Sequence, residues 1–176
     1  MTRARPVAGH IELKRKIANG TRDILEQSRD PAKLKHDILD MRQLMDSERP
    51  ALNKFDIKLA KGGLIDIEFL AQWAILDGVA SPGDSTRNTL KSIDESILQN
   101  DKVTLLQSLT TYSASVQLMR LCVDLDLDPE RWPNGFVDRL VSELECRDLG
   151  EAADAPEPVS NFTKDGYKAA VEKARD

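Results

Sequence analysis

The residues best placed to do chemistry in this 176-residue chain are crowded into Gly62-Gly63-Leu64-Ile65-Asp66-Ile67-Glu68. Two carboxylates two positions apart face the same way on a β-strand, and there they can hold a hard cation such as Mg²⁺ against a nucleoside triphosphate. On an α-helix the same pair diverges by about 200° and cannot share an ion. The residues after Gly63 decide between the two. Ile65, Phe69, Trp73 and Leu76 recur at helical spacing, and Ile67, Leu70, Ala71 and Ala74 widen the stripe. The segment reads as a helix that opens directly after the glycines and lies at the centre of the core. Asp66 then falls in its first turn, where a carboxylate suits the dipole and the unpaired N–H groups. Its expected role is structural, with nucleotide-side or interdomain contact as the alternative. Glu68 is expected to pair with Lys58, Lys61 or Arg42.

The glycine pair relaxes the backbone where the chain must turn. A helix N-terminus after glycine can also receive phosphate. The spacing, however, is neither that of a P-loop nor that of a dinucleotide fingerprint. Polymerase-β-type nucleotidyltransferases place their D-x-[DE] pair about ten residues after the glycine turn, whereas Asp66 follows Gly63 by three. No metal site and no catalytic residue is therefore assigned within this chain. His10 and His36 are far apart and read as surface histidines, and Arg3 and Arg5 as tail charges or phosphate contacts. Arg42 lies off its helix's apolar stripe and reads as part of a solvated face.

Composition limits the function classes. Aromatic residues make up 5% and the net charge is −5, which argues against a nucleic-acid surface. Cys122 and Cys146 have no metal spacing and are expected to be reduced core thiols. No apolar run reaches the ~20 residues of a membrane span, so a soluble, cytoplasmic protein is expected.

The positioning elements are helices. Apolar residues from Ile11 to Leu25 predict a helix over about 9–27, weakened by Gly20. Asp30-Pro31 starts the next, with Leu34, Ile38, Met41 and Met45 as its stripe, and Pro50 stops it near Glu48. Phe55, Ile57 and Leu59 alternate with polar residues, a pattern that allows a brief strand or an extended arm, at most one short extended segment near 55–59. Asp77-Gly78 ends the glycine-led helix, Ser85 or Thr86 caps the next, and Asp101 caps a long one reaching about Leu125. Pro133-Asn134 starts a helix with Phe136, Leu140 and Leu144. Glu151–Pro158 reads as an acidic linker, and Ser160 as the cap of a last helix. The fold class is all-α: a bundle of about six or seven helices over 1–150, followed by a linker and terminal helix over 151–176 docked on it.

Lys58-Leu-Ala-Lys-Gly-Gly-Leu-Ile-Asp-Ile-Glu-Phe-Leu70 resembles the K-L-x-x-G-G-[LI]-x-D-[IL]-E-F signature of bacterial glutamine synthetase adenylyltransferases. Thr2-Arg-Ala-Arg5, Leu39-Asp-Met-Arg42 and Gln117-Leu-Met-Arg-Leu-Cys122 extend the resemblance over roughly residues 1–150. It implies a helical domain that follows a nucleotidyltransferase domain. The D-I-E-F form resembles the carboxy-terminal half, which uses ATP and Mg²⁺ to transfer AMP to a tyrosine of glutamine synthetase. The other half of such multifunctional enzymes removes that AMP by phosphorolysis, and the signalling protein PII and glutamine set the balance in nitrogen metabolism. The catalytic carboxylates that the resemblance requires are missing here, so the implied role is accessory. The chain is expected to be inactive alone and to work beside the missing catalytic domain and glutamine synthetase. A free-standing module that binds PII is the alternative. Arg42, Lys58, Gly62, Gly63, Asp66 and Glu68 are the motif residues to follow, with Arg42 implied to form an interdomain ion pair.

Overall fold

The computed structural model describes residues 2–81, 85–98, 102–126 and 128–154. Among them are seven α-helices, one 3-10 turn and no strand.

Helix α1 (Ile11–Leu25) opens at His10, whose Nδ1 accepts from the Glu12 N–H at 3.4 Å. Asp30 caps α2 (Pro31–Glu48) by accepting from the N–H groups of Ala32 at 2.9 Å and Lys33 at 3.4 Å, with Pro31 as first residue. Arg49, held out of helical geometry before Pro50, closes it. Helix α3 (Leu64–Leu76) follows Gly63 and ends at Asp77-Gly78, with Gly78 at φ +81. Ser85 caps α4 (Thr86–Ser92) through the Asn88 N–H. Then come α5 (Lys102–Cys122), a 3-10 turn (Pro129–Arg131), α6 (Asn134–Glu143) and α7 (Leu149–Asp154).

Helix α3 is the hub. Ile65, Ile67, Leu70, Ala71, Trp73, Ala74 and Ile75 are all buried, and the helix packs against α2, α4 and α5. A helix apolar on most of its circumference can only be stable where neighbours cover every side. Leu105, Leu109, Tyr112, Val116 and Met119 line the buried face of α5. Phe55, Trp132 and Phe136 close one end with edge-to-face contacts at 5.0 and 5.3 Å.

Several expectations give way to local physics. Residues 55–59 form turns rather than an extended segment. Asn53 Oδ1 accepts from the Phe55 N–H at 2.8 Å, and the Asp56 carbonyl accepts from Leu59 and Ala60 at 3.0 and 2.8 Å. Side chains that bond to nearby backbone outcompete an extended run with no partner strand. Met41 leaves its predicted stripe and is exposed, while Leu34 is buried. Cys122 is exposed rather than a core thiol, and Cys146 is half-buried. Residues 151–154 belong to α7, whose Ala152 is fully buried. The Asp101 cap and the terminal helix from Ser160 lie outside the described residues.

Candidate functional site

The turn between α2 and α3 is where the sequence signals converge. Gly62 sits at φ +78, a left-handed conformation that a side chain resists. Gly63 meets a different demand, because a Cβ built there would stand 2.2 Å from the Ile57 carbonyl oxygen and 2.8 Å from that of Ala60. One glycine permits the turn and the other lets the chain lie against itself.

The backbone donors from Gly62 to Ile65 are all engaged. The Gly62 N–H reaches Asp66 Oδ2 at 2.5 Å, and the Gly63 N–H reaches the Ala60 carbonyl at 2.9 Å. The first two helical N–H groups, of Leu64 and Ile65, donate to the carbonyls of Ile57 at 2.9 Å and Lys58 at 3.2 Å. The preceding turns thus fill the helix N-terminus that a phosphate would need.

Asp66 binds back to the turn and across to α2. Its Oδ1 accepts from Arg42 Nε at 2.5 Å, and both side chains are largely buried, at 11% and 14% exposed. The Arg42 guanidinium also donates to Asp46, one turn along α2, and to the Leu59 carbonyl at 3.1 Å. One planar fork therefore ties α2, the turn and α3 together. Burial opposes the Arg42 charge, but the hydrogen bonds and charges of Asp66 and Asp46 outweigh it and raise the guanidinium pKa. Arg42 is thus not on a solvated face; within this chain it holds Asp46, Asp66 and the Leu59 carbonyl.

Glu68 points elsewhere. It pairs with Arg3 of the amino-terminal arm at 2.9 Å and not with the three cations expected from spacing. Asp66 and Glu68 diverge as helix geometry requires. Among the described residues no group of three His, Cys, Asp or Glu side chains can hold a metal ion. Neither Mg²⁺ nor an ATP phosphate fits the start of α3, because its carboxylates face apart and the N–H groups of Gly62 to Ile65 are taken.

Lys58 contributes its carbonyl to α3, while its half-buried side chain lines a cleft of about 320 Å³ between the 52–59 turns and the end of α5. Two further residues escaped sequence reading. Asp56 is buried and its carboxylate accepts from the N–H groups of Leu52 at 3.4 Å and Leu59 at 3.2 Å. Arg29 donates to the carbonyls of Ile24, Leu25 and Gln27 and, at 3.4 Å, to that of Leu76, joining the ends of α1 and α3. The turn-forming Asn53 and Asp56 were a usable signal for the first. For Arg29 only its place just after a helix end hints at carbonyl capping. His10 is a cap, and His36 forms an exposed pair with Asp40 at 2.8 Å.

These features define an all-α domain whose central helix is docked through a buried Arg–Asp pair. The chain is 39% identical over 154 residues to the bifunctional glutamine synthetase adenylyltransferase/adenylyl-removing enzyme of Rhizobium meliloti, a match to 84% of this chain and 15% of that protein. The enzyme of the same name from Agrobacterium fabrum is 30% identical over 178 residues, 97% of this chain and 18% of its own length. That of Bartonella quintana is 32% identical over 152 residues, 85% of this chain and 16% of its own. No family model and no solved structure matches. The chain is a homologue of one segment of the glutamine synthetase adenylyltransferases, and it spans less than a fifth of the relatives' length. No helix among the described residues is long and apolar enough to cross a membrane.

Proposed function

We propose that this chain is an accessory helical domain of an enzyme that transfers AMP from ATP, with Mg²⁺, to a tyrosine of glutamine synthetase in the cytoplasm. The observation that carries the reading is the joint commitment of Arg42, Gly62, Gly63 and Asp66 to one internal network, inside a chain homologous to that enzyme. A motif whose carboxylate and N–H groups are spent on holding α2 against α3 builds a rigid support, and the nucleotide chemistry belongs to a separate catalytic domain. Exposed Leu13, Ile17 and Ile24 support the same reading. They recur at four and seven positions along α1, an uncovered apolar stripe of the kind that neighbouring domains cover.

The test pairs this chain with the Rhizobium meliloti enzyme lacking the matched segment. Neither polypeptide alone should modify glutamine synthetase in the presence of ATP and Mg²⁺, and their mixture should restore AMP transfer. Transfer by the 176-residue chain alone would overturn the proposal.

A further inference from the structure

The cleft beside the motif has the composition of a small-molecule site that the accessory role does not use. Its floor is apolar, built by Ile57 from the turns and by Val116 and Met119 from α5. At about 320 Å³ it lies at the small end of the ~300–1,000 Å³ range of ligand pockets. Its walls are fixed to each other, because Asn53 Nδ2 donates to the Leu125 carbonyl at 2.7 Å.

Two acids and two cations line the cleft, so its formal charges balance, but they differ in the partners they hold. The Asp56 carboxylate is buried and occupied by two backbone N–H groups. Asp124 uses Oδ1 on the Asp126 N–H at 3.2 Å and is exposed. Half-buried Lys58 and exposed Arg120 also line the cleft, and neither has a carboxylate within ion-pairing distance among the described residues. A half-buried lysine is normally paired or lays its stem along apolar surface with its head directed to an anion or to water. Here the stem has such a surface and the head has no partner among the described residues.

We infer that this cleft binds a small organic anion, a carboxylate or phosphate head on a compact apolar body, with Lys58 and Arg120 taking the head and the Ile57–Met119 floor taking the body. The site is independent of AMP transfer and stands or falls separately from it. It also adjoins the Lys58 carbonyl that caps α3, so a ligand here would sit against the turn that fixes the central helix.

The experiment is a heteronuclear NMR titration of the 176-residue chain with 3-phenylpropionate, phenyl phosphate and the neutral 3-phenylpropanol. At least one anion should shift the amides of Lys58, Met119 and Val123 saturably, and the alcohol should bind at least about tenfold more weakly, equivalent to about 1.4 kcal/mol. Lys58→Met keeps the stem and removes the charge. It should weaken the anion at least about tenfold while leaving the alcohol unchanged. A preference between the two anions would tell carboxylate from phosphate. Equal binding of alcohol and anion, shifts scattered over other surface cations, no saturable shift, or an unaffected Lys58→Met would each overturn the inference.

Discussion

Replacing Gly63 by alanine puts one methyl group where the fold has no room. The new Cβ would stand 2.2 Å from the Ile57 carbonyl oxygen and 2.8 Å from that of Ala60, both below the 3.0 Å that real Cβ atoms respect. Neither obstacle is the end of a flexible side chain. Both oxygens already accept hydrogen bonds, from Leu64 and Gly63 at 2.9 Å each. Relief therefore requires the 57–60 turns to move off α3, giving up two bonds worth about 1 kcal/mol each. The forced repacking of buried Ile57 adds about 1–3 kcal/mol. The expected loss is about 3–5 kcal/mol out of a typical total of about 5–15. Denaturant unfolding followed by circular dichroism measures it, as a lower midpoint at unchanged slope. Gly20→Ala is the matched control, since its Cβ meets nothing within 4 Å inside α1, and it should stabilise by about 0.5–1 kcal/mol. The reasoning fails if Gly63→Ala costs less than about 1 kcal/mol or if Gly20→Ala costs as much as it does.

Arg42→Ala should destabilise by about 3 kcal/mol, because it strands a largely buried Asp66 and the Leu59 carbonyl. Combined with Asp66→Ala the loss should be clearly less than additive in a double-mutant cycle, and simple additivity would refute the coupling. A thiol reagent should modify exposed Cys122 at least about tenfold faster than Cys146, whose thiol is pushed up by burial and by the charges of Glu151 and Asp148; equal rates would contradict this. Burial pushes the Tyr112 phenol up to about 12, outweighing a bond to Ser108 that lowers it. Because the folded value lies above the unfolded one of about 10, its stabilising effect is complete below pH ~10 and is lost as the pH rises towards 12. Absorbance titration of a Tyr167→Phe variant, where Tyr112 is the remaining tyrosine, should show phenolate forming near pH 12, and an ordinary midpoint near pH 10 would refute the burial.

The helices were legible where local chemistry and burial agree. Asp30-Pro31 needs only its own side chain and ring to start α2, and Ser85 likewise starts α4. The apolar residues of α3 repeat so densely that only a central helix can hide them. Residues 55–59 misled because their alternation is that of a strand, yet buried Phe55 and Ile57 reach the core from consecutive turns that Asn53 and Asp56 hold by bonding to backbone. Glu68 was unreadable for another reason. Its partner Arg3 is 65 positions away on an arm without regular structure, whereas the nearer cations Lys58 and Lys61 form no ion pair with it. Spacing predicts partners along a helix, and says nothing about an arm that folds back.

The glycine motif shows why a segment dense in donors and carboxylates can be poor in free chemistry. A short turn that begins a buried helix must satisfy its N–H groups without water. Here the carbonyls of Ile57, Lys58 and Ala60 and the carboxylate of Asp66 do so, and Arg42 then balances that carboxylate. Each of these partners must come close, which is why position 63 has no space for a Cβ and why position 62 takes a positive φ. The same requirement that draws the chain inward turns the Lys58 carbonyl toward α3 and leaves its side chain on the cleft side of the turn. Recognition chemistry at this motif is therefore expected at the lysine, four residues before the glycines, rather than at the glycines or the acids.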